Sequence, residues 1–155
     1  MKRTLPVIFA TLAWCVAAIA HQDTALTLGP NGEILNLPQE YSSTRLVIEP
    51  ASTPPGTLAA LTFTSSGRTT ALLPCVLSLV QTPLPVRPSL LGSWYHREDN
   101  LPHYVTVQFA GAEGAAHVIF IFSLRNAELL KVWRIPEPGQ ILVLTIKDGC
   151  PVTGS

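Results

Sequence analysis

The sequence predicts an all-β fold, mainly antiparallel, arranged as a single-domain sandwich or open barrel with one disulfide. Three observations carry that expectation. Hydrophobic residues recur with period two, whereas helical spacing is scarce. Turn formers separate these segments at short intervals. Two cysteines, Cys75 and Cys150, remain once an N-terminal leader is set aside.

The leader is residues 1–20, MKRTLPVIFATLAWCVAAIA. Lys2 and Arg3 precede an uncharged apolar run from Leu5 to Ile19, and Ala18-Ile19-Ala20 has the small-x-small form of a cleavage site. The run is short for a membrane anchor, which needs roughly 20 apolar residues. Lipid attachment at Cys15 is disfavoured by the bulky Trp14 before it. Cleavage after Ala20 leaves residues 21–155 as one β domain, expected in the periplasm or secreted. Loss of Lys2 and Arg3 leaves eight basic against ten acidic side chains, a net charge of −2. No basic run is present, which argues against nucleic acid. No second apolar run suggests a membrane span after the leader.

The elements follow in chain order. GPNGE (29–33) is a turn. STRLVIE (43–49) and TLAALTFT (57–64) alternate as strands, with Pro54-Pro55 between them, where a missing N–H costs little. SSGR (65–68) is a hairpin turn, with Gly67 supplying a positive φ. In an oxidising compartment Cys75 and Cys150 are expected to pair; nothing resembling the C-x-x-C of a redox pair is present. QTPLPVRPS (81–89) reads as an extended connector, with a proline-rich ligand segment as the alternative. HYVTVQF (103–109) and ILVLTIK (141–147) are strands, and AHVIFIF (116–122) reads as a strand buried on both faces. SLRNAELLK (123–131) fits a turn better than one short helix capped by Ser123, because strand-like residues flank it.

SWYHREDNLPHYVTV (93–107) holds most of the candidate site residues. If His96 opposes His103 across REDNLP (97–102), then Trp94 faces Val105, Gly92 faces Val107 and Leu90 faces Phe109 on one apolar side. Tyr95 and Tyr104 then share the other side with Ser93 and Thr106. Two readings stay open. His96 and His103, about 5 Å apart at Cβ in a directly opposed pair, could hold copper or zinc with Glu98 or Asp99. Alternatively they form a polar hairpin end, with Trp94 in the core. Tyr95 and Tyr104 suit a binding patch, and equally a cross-strand pair with no partner.

Cleavage after Ala20 would also make His21 the first residue, offering an α-amine and an imidazole to one metal. In this it resembles the histidine brace of copper monooxygenases and small periplasmic copper binders. That resemblance implies a second histidine ligand from His96, His103 or His117. It rests on His21 alone; no further motif of either family is present. His117 in AAHVIF otherwise reads as a partly buried strand histidine, Trp133 in KVWRI as core or sheet surface, and Arg125-Asn126 as a turn.

No G-x-S-x-G, Walker, dinucleotide-binding or zinc-protease motif occurs, and ten scattered acids do not define a carboxylate pair. The sequence therefore favours a non-catalytic domain without a cofactor, binding a protein or cell-envelope component through a sheet face or loop end. Trp94, Tyr95, Tyr104, Glu98 and Asp99 are the expected contact residues. Small exported β domains that inhibit or protect against an enzyme fall in this class by architecture alone. The alternative is a periplasmic copper or zinc binder using His21, His96 and His103.

Overall fold

The computed structural model describes residues 22–95 and 102–153. Residues 1–20, His21, His96, Glu98 and Asp99 lie outside the described residues. So do the side chains of Gln22, Asp23, Thr24, Tyr95 and Thr153.

Among the described residues twelve strands, one 3-10 turn (Gln39–Tyr41, between β3 and β4) and one short α-helix follow in order: β1 (Gln22–Ala25), β2 (Thr27–Leu28), β3 (Ile34–Leu35), β4 (Arg45–Pro50), β5 (Leu58–Ser65), β6 (Arg68–Ala71), α1 (Pro74–Leu77), β7 (Leu90–Tyr95), β8 (Pro102–Phe109), β9 (His117–Ser123), β10 (Leu129–Ile135), β11 (Leu142–Lys147) and β12 (Cys150–Thr153). Seven of them form one sheet in the order β1-β7-β8-β9-β10-β11-β12, and β4-β5-β6 form a second. β2 and β3 make a small hairpin that joins β4 through the Glu33–Arg45 bridge. Every described ladder is antiparallel.

The three-stranded sheet and α1 cover one face of the seven-stranded sheet. Alternation decides which residues meet there. Leu46, Leu61 and Phe63 point in from the small sheet, and Val105, Val107, Phe109, Val118, Phe120, Phe122 and Val132 from the large one. Phe63 stacks on Phe122 with ring centroids 4.4 Å apart, so the layers interlock at one aromatic pair. A buried hydroxyl chain crosses beside it. Thr44 Oγ1 and Ser65 Oγ lie 3.0 Å apart, and Ser65 Oγ donates to the Leu124 carbonyl at 2.8 Å. Cys75 in α1 and Cys150 in β12 form the expected disulfide, clipping the helix to the sheet's last strand. Such a bridge is compatible with a periplasmic or extracellular location. Among the described residues no helix is long and apolar enough to cross a membrane.

The expectation for one strand needs correction, and three other segments form as expected. Residues 116–122 do form a strand, but it is not buried on both faces. Val118, Phe120 and Phe122 are buried, whereas Ile119 and Ile121 are half-buried and His117 is exposed rather than partly buried. The cause is that the second layer covers only one side of the large sheet. Ser123 caps no helix. Its Oγ accepts from the Arg125 N–H, its own N–H donates to the Glu128 carbonyl, and residues 124–128 form the turn into β10. Both central residues of the 65–68 turn have positive φ, Ser66 at 51° and Gly67 at 72°, the form that matches strand twist in two-residue hairpins. The segment 81–89 is a connector. The Thr82 N–H donates to the Gly56 carbonyl and the Ser89 N–H to the Gln108 carbonyl, tying down both ends.

Candidate functional site

The β7–β8 register differs by one residue from the one that the histidine pairing implies. Trp94 faces Tyr104, Ser93 faces Val105, Gly92 faces Thr106 and Leu91 faces Val107. The ladder slips further between Trp94 and Tyr95, and Tyr95 pairs with Pro102. Burial explains the preference. Val105, Val107 and Phe109 must face the core, and this register sets Leu91 and the small Ser93 against them. The opposite choice would force an indole into that layer. Trp94 is therefore not a core residue; it stands on the outer face, beside Tyr104.

The same alternation places Trp133 outward. On β10 Val132 is buried, so its neighbours Lys131 and Trp133 turn away from the core. Trp94 and Trp133 stand on β7 and β10, with Thr106 and Ile121 of β8 and β9 between them. The indoles meet across that gap edge to face, with centroids 6.5 Å apart and planes at 84°. Thr106, an outward-facing threonine, is only 5 % exposed beneath this cover.

A groove of about 300 Å³ opens here, lined by Trp94, Tyr104, Ile121, Leu130, Lys131 and Trp133. Both indole Nε1 atoms are buried, with no hydrogen-bond acceptor among the described residues. A buried donor without a partner costs about 1–3 kcal/mol. The chain therefore bears a cost at this point that a core residue of the same size would avoid. The clefts along the proline-rich connector are larger, about 410 and 390 Å³, but they hold no aromatic side chain, and Arg87 is the charged side chain of each.

Of the residues singled out from sequence, Trp94 and Tyr104 are brought together as a cross-strand pair. His103 lies on β8 next to Tyr104, with ring centroids 6.0 Å apart, and its carbonyl accepts from the Leu124 N–H. His117 stands exposed at the start of β9. Among the described residues no three His, Cys, Asp or Glu side chains are grouped closely enough to hold a metal. His21 and His96 fall outside that statement. Sequence reasoning missed Trp133, Lys131, Ile121 and Leu130 as site residues. A signal was present in Lys131-Val132-Trp133, where a buried valine flanked by two outward side chains is what a one-sided strand requires.

No protein-family model, no curated protein and no solved structure matches this chain.

Proposed function

We propose that the chain is an exported, non-catalytic recognition domain that binds a protein or cell-envelope component through the outer face of its seven-stranded sheet. The observation that carries this reading is the aromatic groove on a face that the second layer leaves bare. Rigid rings give large contact area at little entropic cost, and Trp and Tyr are over-represented among residues that dominate binding energy. Two indole donors without acceptors among the described residues support a face that is completed by an outside partner.

The test compares the mature chain with a Trp94→Ala/Trp133→Ala variant. Both side chains are outside the core, so the variant is expected to stay folded by circular dichroism. Loss of two aromatic anchors, at about 2 kcal/mol each, should weaken retention on isolated envelope material by two orders of magnitude or more. Equal retention of variant and parent would overturn the proposal.

A further inference from the structure

We propose that the Trp94–Trp133 groove is a subsite for an anionic saccharide, with a sugar ring against the indoles and its carboxylate paired to Lys131. This rests on the outer face being the binding face. The charge pattern comes first. From β7 to β11 the outward positions carry two cations, Lys131 and Lys147, and no carboxylate, although the whole chain holds ten acids and ten bases. Lys131 is exposed at the groove's wall. An anionic ligand meets complementary charge there and no opposing carboxylate on those strands.

The geometry selects the ligand class. In the middle of a sheet the backbone N–H and C=O groups bond to neighbouring strands, within the plane of the sheet. An extended acidic peptide lying on the face would press its own main chain against apolar rings without partners. A pyranose makes no such demand. One side of its ring presents polarised C–H bonds, which suit the negative face of an indole. Its hydroxyls project from the ring edge and stay in water or accept hydrogen bonds. Neither indole N–H has an acceptor among the described residues. An oxygen-rich ligand that tilts either ring on entry supplies one, and an aliphatic ligand cannot. The groove's volume, about 300 Å³, lies at the lower end of the range for small-ligand sites, which suits one or two sugar rings rather than a drug-sized aromatic.

Three tryptophans occur in the chain, and one, Trp14, is in the leader, so under tryptophan-selective excitation the emission of the mature protein comes from Trp94 and Trp133. Its emission therefore reports on the groove itself. The experiment titrates the mature chain with trigalacturonate, with a soluble muramic-acid disaccharide, with neutral cellotriose and with a short polyglutamate peptide. A saturable emission change with at least one acidic saccharide is expected, with at least tenfold weaker binding of cellotriose. Lys131→Gln, an exposed substitution, should weaken the acidic saccharide about tenfold by calorimetry and leave the melting temperature unchanged. Trp133→Phe keeps a ring and should retain part of the affinity. If neither acidic saccharide gives a saturable change, or if Lys131→Gln binds as tightly as the parent, the inference is overturned. A response to polyglutamate or to envelope proteins alone would overturn the saccharide and leave the binding face standing. If envelope retention is also insensitive to the Trp94→Ala/Trp133→Ala change, the binding face falls with it.

Discussion

Ser65 shows how much of this fold hangs on single polar atoms. Its hydroxyl is fully buried, lies against Thr44 Oγ1 and donates to the Leu124 carbonyl, so it links the small sheet to the turn after β9. Ser65→Ala removes one partner and strands the Thr44 hydroxyl, while the Leu124 carbonyl keeps its bond from Ser66 Oγ. The expected loss is about 1–3 kcal/mol, read from the urea unfolding midpoint. Ser93 and Trp94 make the opposite contrast. Ser93 is 1 % exposed and faces Val105, so Ser93→Asp buries an unpaired charge and should abolish cooperative unfolding. Trp94→Ser acts on the outer face and should leave the chain folded. A register with Trp94 inward requires the reverse order, so the pair of circular dichroism melts decides between them. This is also where sequence reading failed. On β8 the buried Val105, Val107 and Phe109 alternate cleanly and their face was legible. β7 reads Leu-Leu-Gly-Ser-Trp-Tyr, which has no alternation, and a bulge after Trp94 breaks the count that an assumed His96–His103 pairing needs.

Turns set the elements, and their chemistry was unevenly readable. The Ser66-Gly67 turn was visible because its glycine lies between two clear strands. The equivalent turn at Asp148-Gly149, with φ of 52° and 79°, passed unnoticed although Asp-Gly is a strong hairpin signal. The strand it introduces, β12, is short and contains Pro151, which lowers its strand propensity and suits it to a sheet edge. The two glycines allow a comparison. A Cβ at Gly67 would meet nothing within 4 Å, so Gly67→Ala pays only for the left-handed backbone, about 1 kcal/mol. A Cβ at Gly149 would lie 2.8 Å from Leu73 Cδ1, just before the helix that holds Cys75. Leu73 is 44 % exposed and its Cδ1 can swing away, so Gly149→Ala should cost about the same as Gly67→Ala in thermal melts, the left-handed backbone being common to both. A markedly larger cost would mean that Leu73 is held rigidly against the β11–β12 turn. The turn at 124–128 illustrates the remaining gap. Helix formers such as Leu, Ala and Glu populate it, but Leu124 and Ala127 are fully buried and Ala127 has a φ of 59°, so core contacts override local propensity.

At the scale of the whole molecule, a three-stranded sheet covers a seven-stranded one, and the coverage is unequal. Leu144 and Ile146 of β11 pack on the core, whereas Ile141, Leu142 and Val143 stay about half exposed at 56 %, 49 % and 50 %. The far end of the large sheet thus has little apolar packing to hold it. The Cys75–Cys150 bridge lies at that end and ties β12 to α1, which is anchored in the core by Val76 and Leu77. The bridge spans 75 residues in sequence, and the chain-entropy relation for a loop of that size gives about 4–5 kcal/mol. Two measurements follow. Non-reducing mass spectrometry of the chain lacking residues 1–20 should find no alkylatable thiol. Reduction should lower the melting temperature by roughly 10–20 °C for a domain of this size, and hydrogen exchange of the reduced chain should show β11 and β12 opening before β8 and β9. That order follows from burial, since Val105, Val107, Phe120 and Phe122 are fully buried, whereas β11 is half exposed along Leu142 and Val143. Uniform loss of protection across the seven strands would show that the disulfide holds the whole sandwich together rather than its thinly covered end.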